Sequence, residues 1–225
     1  MDISFSAAWK RTFAGAHIGI LRVNGVDNTQ NAPTLEAHKR ELETRLRERY
    51  EHMSRADLHT LPVLRAYRNY YKPFGNSYHV QLQLESVVHK HTSLPQVSPL
   101  VDANFAAELD TFILTAAHDA EKLEPPLTID VTHEGEPFTQ LTGKTRTLKG
   151  GDMVMRDAHG AVCTILYGQD QRTAISRQAR AALYVAYAPS GVPKHAVEKQ
   201  LETICELVLS FDENAQIASL VVHSL

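Results

Sequence analysis

Six polar residues in two clusters carry the chemistry that this chain could do. Asp102 and Asn104 stand in Pro99-Leu100-Val101-Asp102-Ala103-Asn104, and His118-Asp119 follows fourteen positions after Asn104. Asp170 and Arg172 stand in Gly168-Gln169-Asp170-Gln171-Arg172-Thr173. A histidine is the natural general base or water orienter near neutral pH, and a carboxylate such as Asp119 or Asp170 can fix its tautomer. Asn104 and Arg172 can donate hydrogen bonds to a developing oxyanion. The set therefore suits attack by a positioned water. It contains no Ser/His/Asp or Cys/His nucleophile arrangement. Gly15-Ala16-His17-Ile18-Gly19 lacks the strand–turn–helix context of a phosphate-cradling loop.

Each of these residues also has a plainer reading. Asp102 is expected to cap a helix N-terminus. His118 is expected near a helix C-terminus, where an imidazolium favours the dipole. Asp170 and Arg172 suit a loop-fastening ion pair, and Gly143, Gly151 and Gly160 suit turns.

The elements that must position these residues follow from periodicity. Alternation over Ile18–Val23 predicts a strand, stopped by Asn24-Gly25. From Thr34 a helical pattern places Leu35, Leu42, Leu46 and Tyr50 on one side, and the charges between them read as a solvated face. Further helices are predicted over Pro62–Tyr71, from a Ser77 cap to about His91, over Asp102–Leu114 and over Val192–Leu209. After Pro125-Pro126 the chain becomes β-rich with glycine turns, and Ile217–Val222 supplies a final strand. The proline pair reads as a joint within one compact unit spanning 1–225.

Composition narrows the function classes. The chain has 225 residues, a formal net charge of −3 and 22% charged residues, so strong non-specific nucleic-acid binding is disfavoured. Local basic groups remain in Arg65, Arg68 and Lys72, and in Lys144, Arg146 and Lys149. No apolar run is long enough for a membrane span, and Met1–Phe5 lacks the character of a secretory signal. These features suggest a cytoplasmic protein. Cys163 and Cys205 read as buried, reduced thiols. The twelve histidines complete no zinc spacing, and His89 and His91 are expected to point apart at a helix end. Neither a metal nor a cofactor is expected.

The order and spacing of Pro99–Asn104, His118-Asp119, Gly135-Glu136-Pro137-Phe138, Leu141-Thr142-Gly143, Gly151–Gly160, Gly168–Thr173 and Arg177-Gln178-Ala179-Arg180 resemble a stand-alone B3/B4 domain. Such a domain is the proofreading module of the bacterial phenylalanyl-tRNA synthetase beta subunit. The resemblance covers 61–188 and implies an α+β fold of mixed sheets with helices. It also implies recognition of the aminoacylated end of tRNA, with hydrolysis of a mischarged amino acid in trans. Asp102 matches the family aspartate. Asn104 falls at the synthetase threonine, Phe105 at its asparagine and Ala116 at its histidine, while His118-Asp119 is similar to the His-Asp pair of stand-alone members. Gly143 matches the pocket-lining glycine of the L-x-G turn, and Asp170 takes space similar to the synthetase glutamate.

The resemblance therefore implies His118 and Asp170 as catalytic residues and Asn104, Gly143, Arg172 and Thr173 as substrate-binding residues. A local RNA-binding patch is expected from Arg68, Lys72, Lys144, Arg146 and Lys149, with no DNA specificity. The alternative is a non-catalytic module that binds RNA or an amino-acid-like ligand in the same cleft.

Overall fold

The computed structural model describes residues 2–224. Its first sheet is antiparallel with strand order β11-β2-β10-β3. The strands are β2 (His17–Asn24), β3 (Thr115–Asp119), β10 (Ala181–Ala188) and β11 (Gln216–Ser224). Every residue of β10 is buried. Its run Ala-Ala-Leu-Tyr-Val-Ala-Tyr-Ala is continuous rather than alternating, as a central strand covered on both faces requires. Helices α6 (Pro99–Thr111) and α7 (Lys194–Phe211) pack on this sheet and on each other. Gly19 on β2 makes the α7 packing possible, because a Cβ there would meet Val197 Cγ1 at 2.7 Å and Leu201 Cδ1 at 3.1 Å.

The second sheet runs β1-β4-β7-β8-β9. It comprises β1 (Ile3–Phe5), β4 (Leu127–Val131), β7 (Met153–Asp157), β8 (Gly160–Thr164) and β9 (Gly168–Gln169). Strands β5 (Pro137–Thr139) and β6 (Thr145–Thr147) form a separate hairpin. The remaining helices are α1 (Ala7–Thr12), α2 (Pro33–Tyr50), α3 (Arg55–Leu58), α4 (Pro62–Tyr71) and α5 (His79–His89). One hydrophobic cluster takes in both sheets and the helices, from Trp9 and Leu21 to Ile129, Met155 and Val208. This is an α+β fold with mixed sheets. Among the described residues no helix is long and apolar enough to cross a membrane.

Most predicted elements fall within a few residues of the observed ones, and the departures have local causes. Helix α6 spans Pro99–Thr111, with Pro99 in its first turn and Ser98 at the cap. Asp102 is thus inside the helix rather than capping it. Its Oδ1 accepts the Val97 N–H at 2.8 Å, and Lys39 Nζ lies 3.1 Å from Oδ2. Phe112, left-handed at φ 63°, ends the helix. The chain then turns into β3, and His118 lies on a strand instead of at a helix end. Pairing with β10 overrides the helical preference of Ala116-Ala117.

Helix α5 is capped by Tyr78, not Ser77, and stops at His89. On α2 the charges are not all solvated, since Lys39 and Glu43 are buried against the 94–102 segment. Cys163 is buried and Cys205 only partly so, both as free thiols.

Candidate functional site

Helix α6 builds one wall of a cavity of about 430 Å³. Val101, Asn104, Phe105 and Glu108 share one face at spacings of three and four, and all four line the cavity. Thr115, Ala116 and Ala117 of β3 form a second side. Cys163, Tyr167, Gly168 and Gln169, around β8 and β9, form a third. The β5–β6 turn borders the mouth with Gln140, Leu141 and Thr142.

That turn is held in place by several bonds. Leu141 N–H donates to Gln169 O at 2.9 Å, and Gln140 Nε2 donates to Tyr167 O at 2.8 Å. Gly143, at φ 79°, takes the left-handed position that a side chain would resist, and its N–H donates to Gln140 O. Leu141 is 55% exposed, so an apolar side chain stands at the rim beside an apolar interior.

The residues expected to share one pocket are divided by the fold. Asn104 lines the cavity. Gly143 shapes the closing turn, though it is Leu141 and Thr142 that line the cavity. His118, Asp170 and Thr173 form a buried network that does not line it. Thr173 Oγ1 donates to Asp170 Oδ1 and its N–H donates to the same oxygen, so Oγ1 accepts from His118 Nδ1–H at 2.7 Å. This arrangement fixes the imidazole tautomer and leaves Nε2 buried without a partner among the described residues. Burial lowers the His118 pKa to about 3, and burial likewise raises that of Asp170.

The network ties β3 to the 168–174 loop, with Gln169 Nε2 donating to Thr173 O at 3.1 Å. The loop ion pair expected between Asp170 and Arg172 has a nearer competitor: Arg172 lies 2.8 Å from Asp157 and 3.6 Å from Asp170.

The basic residues are also divided. Lys144 and Arg146 are exposed on the β5–β6 hairpin, where Arg146 Nε donates to Gln140 Oε1 at 2.9 Å. Lys149 Nζ donates to Phe74 O at 2.7 Å, beside the turn that begins at Lys72. Arg68 and Lys72 line a separate surface depression with Arg55 and His59. Among the described residues, no group of three or more His, Cys, Asp or Glu is placed to hold a metal ion.

Sequence reasoning missed Glu108. It is buried on the cavity wall, and Oε1 accepts the Thr115 N–H at 2.7 Å. Burial raises its pKa to about 8, so the side chain is largely neutral at pH 7. The available signal was a lone acid on the apolar stretch Phe105-Ala106-Ala107, four residues after Asn104.

Its linkage sign is unusual for a carboxyl. The folded state holds the proton between pH 4.5 and about 8 while the unfolded state has lost it, so stability falls as pH rises through that window. His118 acts in the other direction: its contribution is lost as pH falls below 6.5 toward 3. Glu108→Gln keeps an acceptor for Thr115. Chemical denaturation should show the variant gaining on the parent by a few kcal/mol between pH 5 and 8. A difference that stays constant over this range rules out a neutral, buried Glu108.

The B3/4 domain family model matches residues 66–211, which extends the resemblance through α7. A comparison with curated proteins finds no match. Among solved structures, the chain is similar to an N-terminal fragment of the phenylalanyl-tRNA synthetase beta-subunit from Pyrococcus horikoshii, with 8% identity and a TM-score of 0.48. The alignment covers 96% of this chain and 54% of that one, so the chain spans about half the fragment's length. With the matched span taking in α6, β3, the hairpin and the 168–174 loop that enclose the cavity, the chain belongs to the B3/4 domain family.

Proposed function

We propose that the cavity receives the aminoacylated end of a tRNA and that the protein hydrolyses a wrongly attached amino acid in trans. The supporting observation is the apolar cavity of about 430 Å³ bordered by Leu141 and Thr142 of the β5–β6 turn. It is large enough for an amino-acid side chain and its ester linkage, and it is lined mainly by apolar groups with a few polar ones, as a ligand site requires. Asn104 contacts the ligand, and Gly143 sets the turn over it. Thr173, Asp170 and His118 act from behind the wall, holding the 168–174 loop and β3 in register. Arg172 secures the same loop through Asp157.

An aminoacyl ester is already activated, so positioning supplies most of the acceleration. The second reading, a non-catalytic module for RNA or an amino-acid-like ligand, is favoured by the enclosure of His118. That ring is fully buried and does not line the cavity, so its unpaired Nε2 does not face a water held there.

Deacylation of a panel of mischarged tRNAs tests the proposal. Turnover of at least one supports it; binding without turnover of any replaces it with the second reading. RNA affinity is carried by Lys144, Arg146, Lys149, Arg68 and Lys72 against a net charge of −3, so it is weak and salt-sensitive. Charge reversal of Lys144 and Arg146 to glutamate should weaken tRNA binding by about tenfold and reduce the salt slope by about 1 to 2. Filter binding across a salt series reads both quantities. An unchanged slope would remove the hairpin from the RNA contact.

A further inference from the structure

Glu108 and Asn104 lie one turn apart on α6 and border the same apolar cavity, where Asn104 Oδ1 is buried without a partner among the described residues. Among the described residues, the only hydrogen bond to the Glu108 carboxyl is the Thr115 N–H to Oε1, and Asn104 Oδ1 has none. Asn104 Nδ2 is committed to Thr115 O at 2.8 Å, which fixes the amide orientation and leaves its oxygen as the acceptor. Among the described residues, no lysine, arginine or other carboxyl lines the cavity. The titratable groups around Glu108 are Tyr67 and Tyr71 from α4, Tyr78 and His79 at the start of α5, and Cys163 from β8. None supplies a fixed positive charge. Buried acceptors without donors are costly and uncommon, and a carboxyl in apolar surroundings is costlier still.

From this we infer that Glu108 and Asn104 form a recognition point for a primary ammonium group, the α-ammonium of an aminoacyl ligand, with the apolar walls taking its side chain. The inference rests on the reading that the cavity receives an aminoacyl group. An ammonium has three donors and no acceptor, so it can satisfy Glu108 and Asn104 together. Binding then has a proton balance. In the absence of ligand Glu108 holds its proton, as its environment dictates. When the ammonium arrives the carboxylate form is favoured, and that proton passes to the buffer. A hydroxyl or amide ligand would leave Glu108 neutral and release nothing. A purely apolar ligand would leave both acceptors unpaired.

Titration calorimetry at pH 6.5, in two buffers of different ionisation enthalpy, tests this with amides that cannot be hydrolysed as esters. The probes are L-phenylalaninamide and L-leucinamide, with 3-phenylpropanamide and 4-methylpentanamide as counterparts lacking the amino group. At least one amino amide should bind tenfold or more tighter than its counterpart and release close to one proton. Glu108→Gln, which preserves the Thr115 bond, should abolish both the preference and the proton release. Asn104→Ala should weaken the preference by about tenfold. Equal binding of the paired amides, an undiminished preference in Glu108→Gln, or no binding of any amide at millimolar concentration overturns the inference.

The deacylation panel separates this from the parent reading. Turnover of charged tRNA without an ammonium preference sinks the inference alone. Ammonium preference with indifference to every charged tRNA upholds the inference and removes the tRNA.

Discussion

Replacing Ala116 by tryptophan should lower deacylation of any active substrate by more than about 10²-fold while leaving the fold intact. Ala116 is on β3, partly exposed, and its residue lines the cavity opposite the α6 face. An indole placed there occupies much of the space needed by an amino-acid side chain, and displacement by a large fraction of an ångström already costs heavily in a positioned reaction. The backbone pairing of Ala116 with Val185 is untouched, and the added bulk points into open space rather than into packed core. The unfolding midpoint should therefore stay close to the parent's. If turnover survives the tryptophan, the chemistry lies elsewhere on the molecule, and the surface depression around Arg68 and Lys72 becomes the next place to look. His118→Ala provides the contrast. Enclosed behind the wall and bonded to Thr173, His118 should affect stability more than turnover when removed.

The contrast between Ala116 and His118 shows what the sequence could express. Strand β2, helix α4 and the start of α2 were legible because apolar period and proline position agree with the tertiary outcome. The helix over 102–114 was displaced because Asp102 has the residue type of a cap. Its partners, Lys39 and the Val97 N–H, are set by packing that periodicity does not encode. The resemblance implies His118 and Asp170 as catalytic residues, and the fold does join them through Thr173. The connection is legible in neither residue's local context, because 52 positions separate them and the isolated bridge between His118 and Ala174 is what closes the gap. Glu108 is illegible in the sequence for the opposite reason. One acid among the three of α6, Glu108 is not distinguished from Asp102 and Asp110 until the cavity it faces is known.

The second large effect concerns stability and reaches the site through α6. Lys39 is 2% exposed, and its ammonium bonds Glu36 Oε1 at 2.9 Å, Pro95 O at 2.8 Å and Asp102 Oδ2 at 3.1 Å. This one group thus ties α2 to the 94–98 segment and to the first turn of α6. Lys39→Ala leaves the buried Asp102 carboxylate and the Pro95 carbonyl without their cation, and breaking a buried pair from one side costs about 3 to 5 kcal/mol. The double variant Lys39→Met with Asp102→Leu removes both charges and keeps apolar volume, so it should lose less than the single variant. Urea denaturation of the parent and both variants reads the difference, and a single variant within about 0.5 kcal/mol of the parent would show that Lys39 is not a structural tie. Helix α6 carries Asn104 and Glu108 two and six residues beyond Asp102. Loosening its first turn should therefore weaken amide binding in the cavity even under conditions where the single variant remains folded.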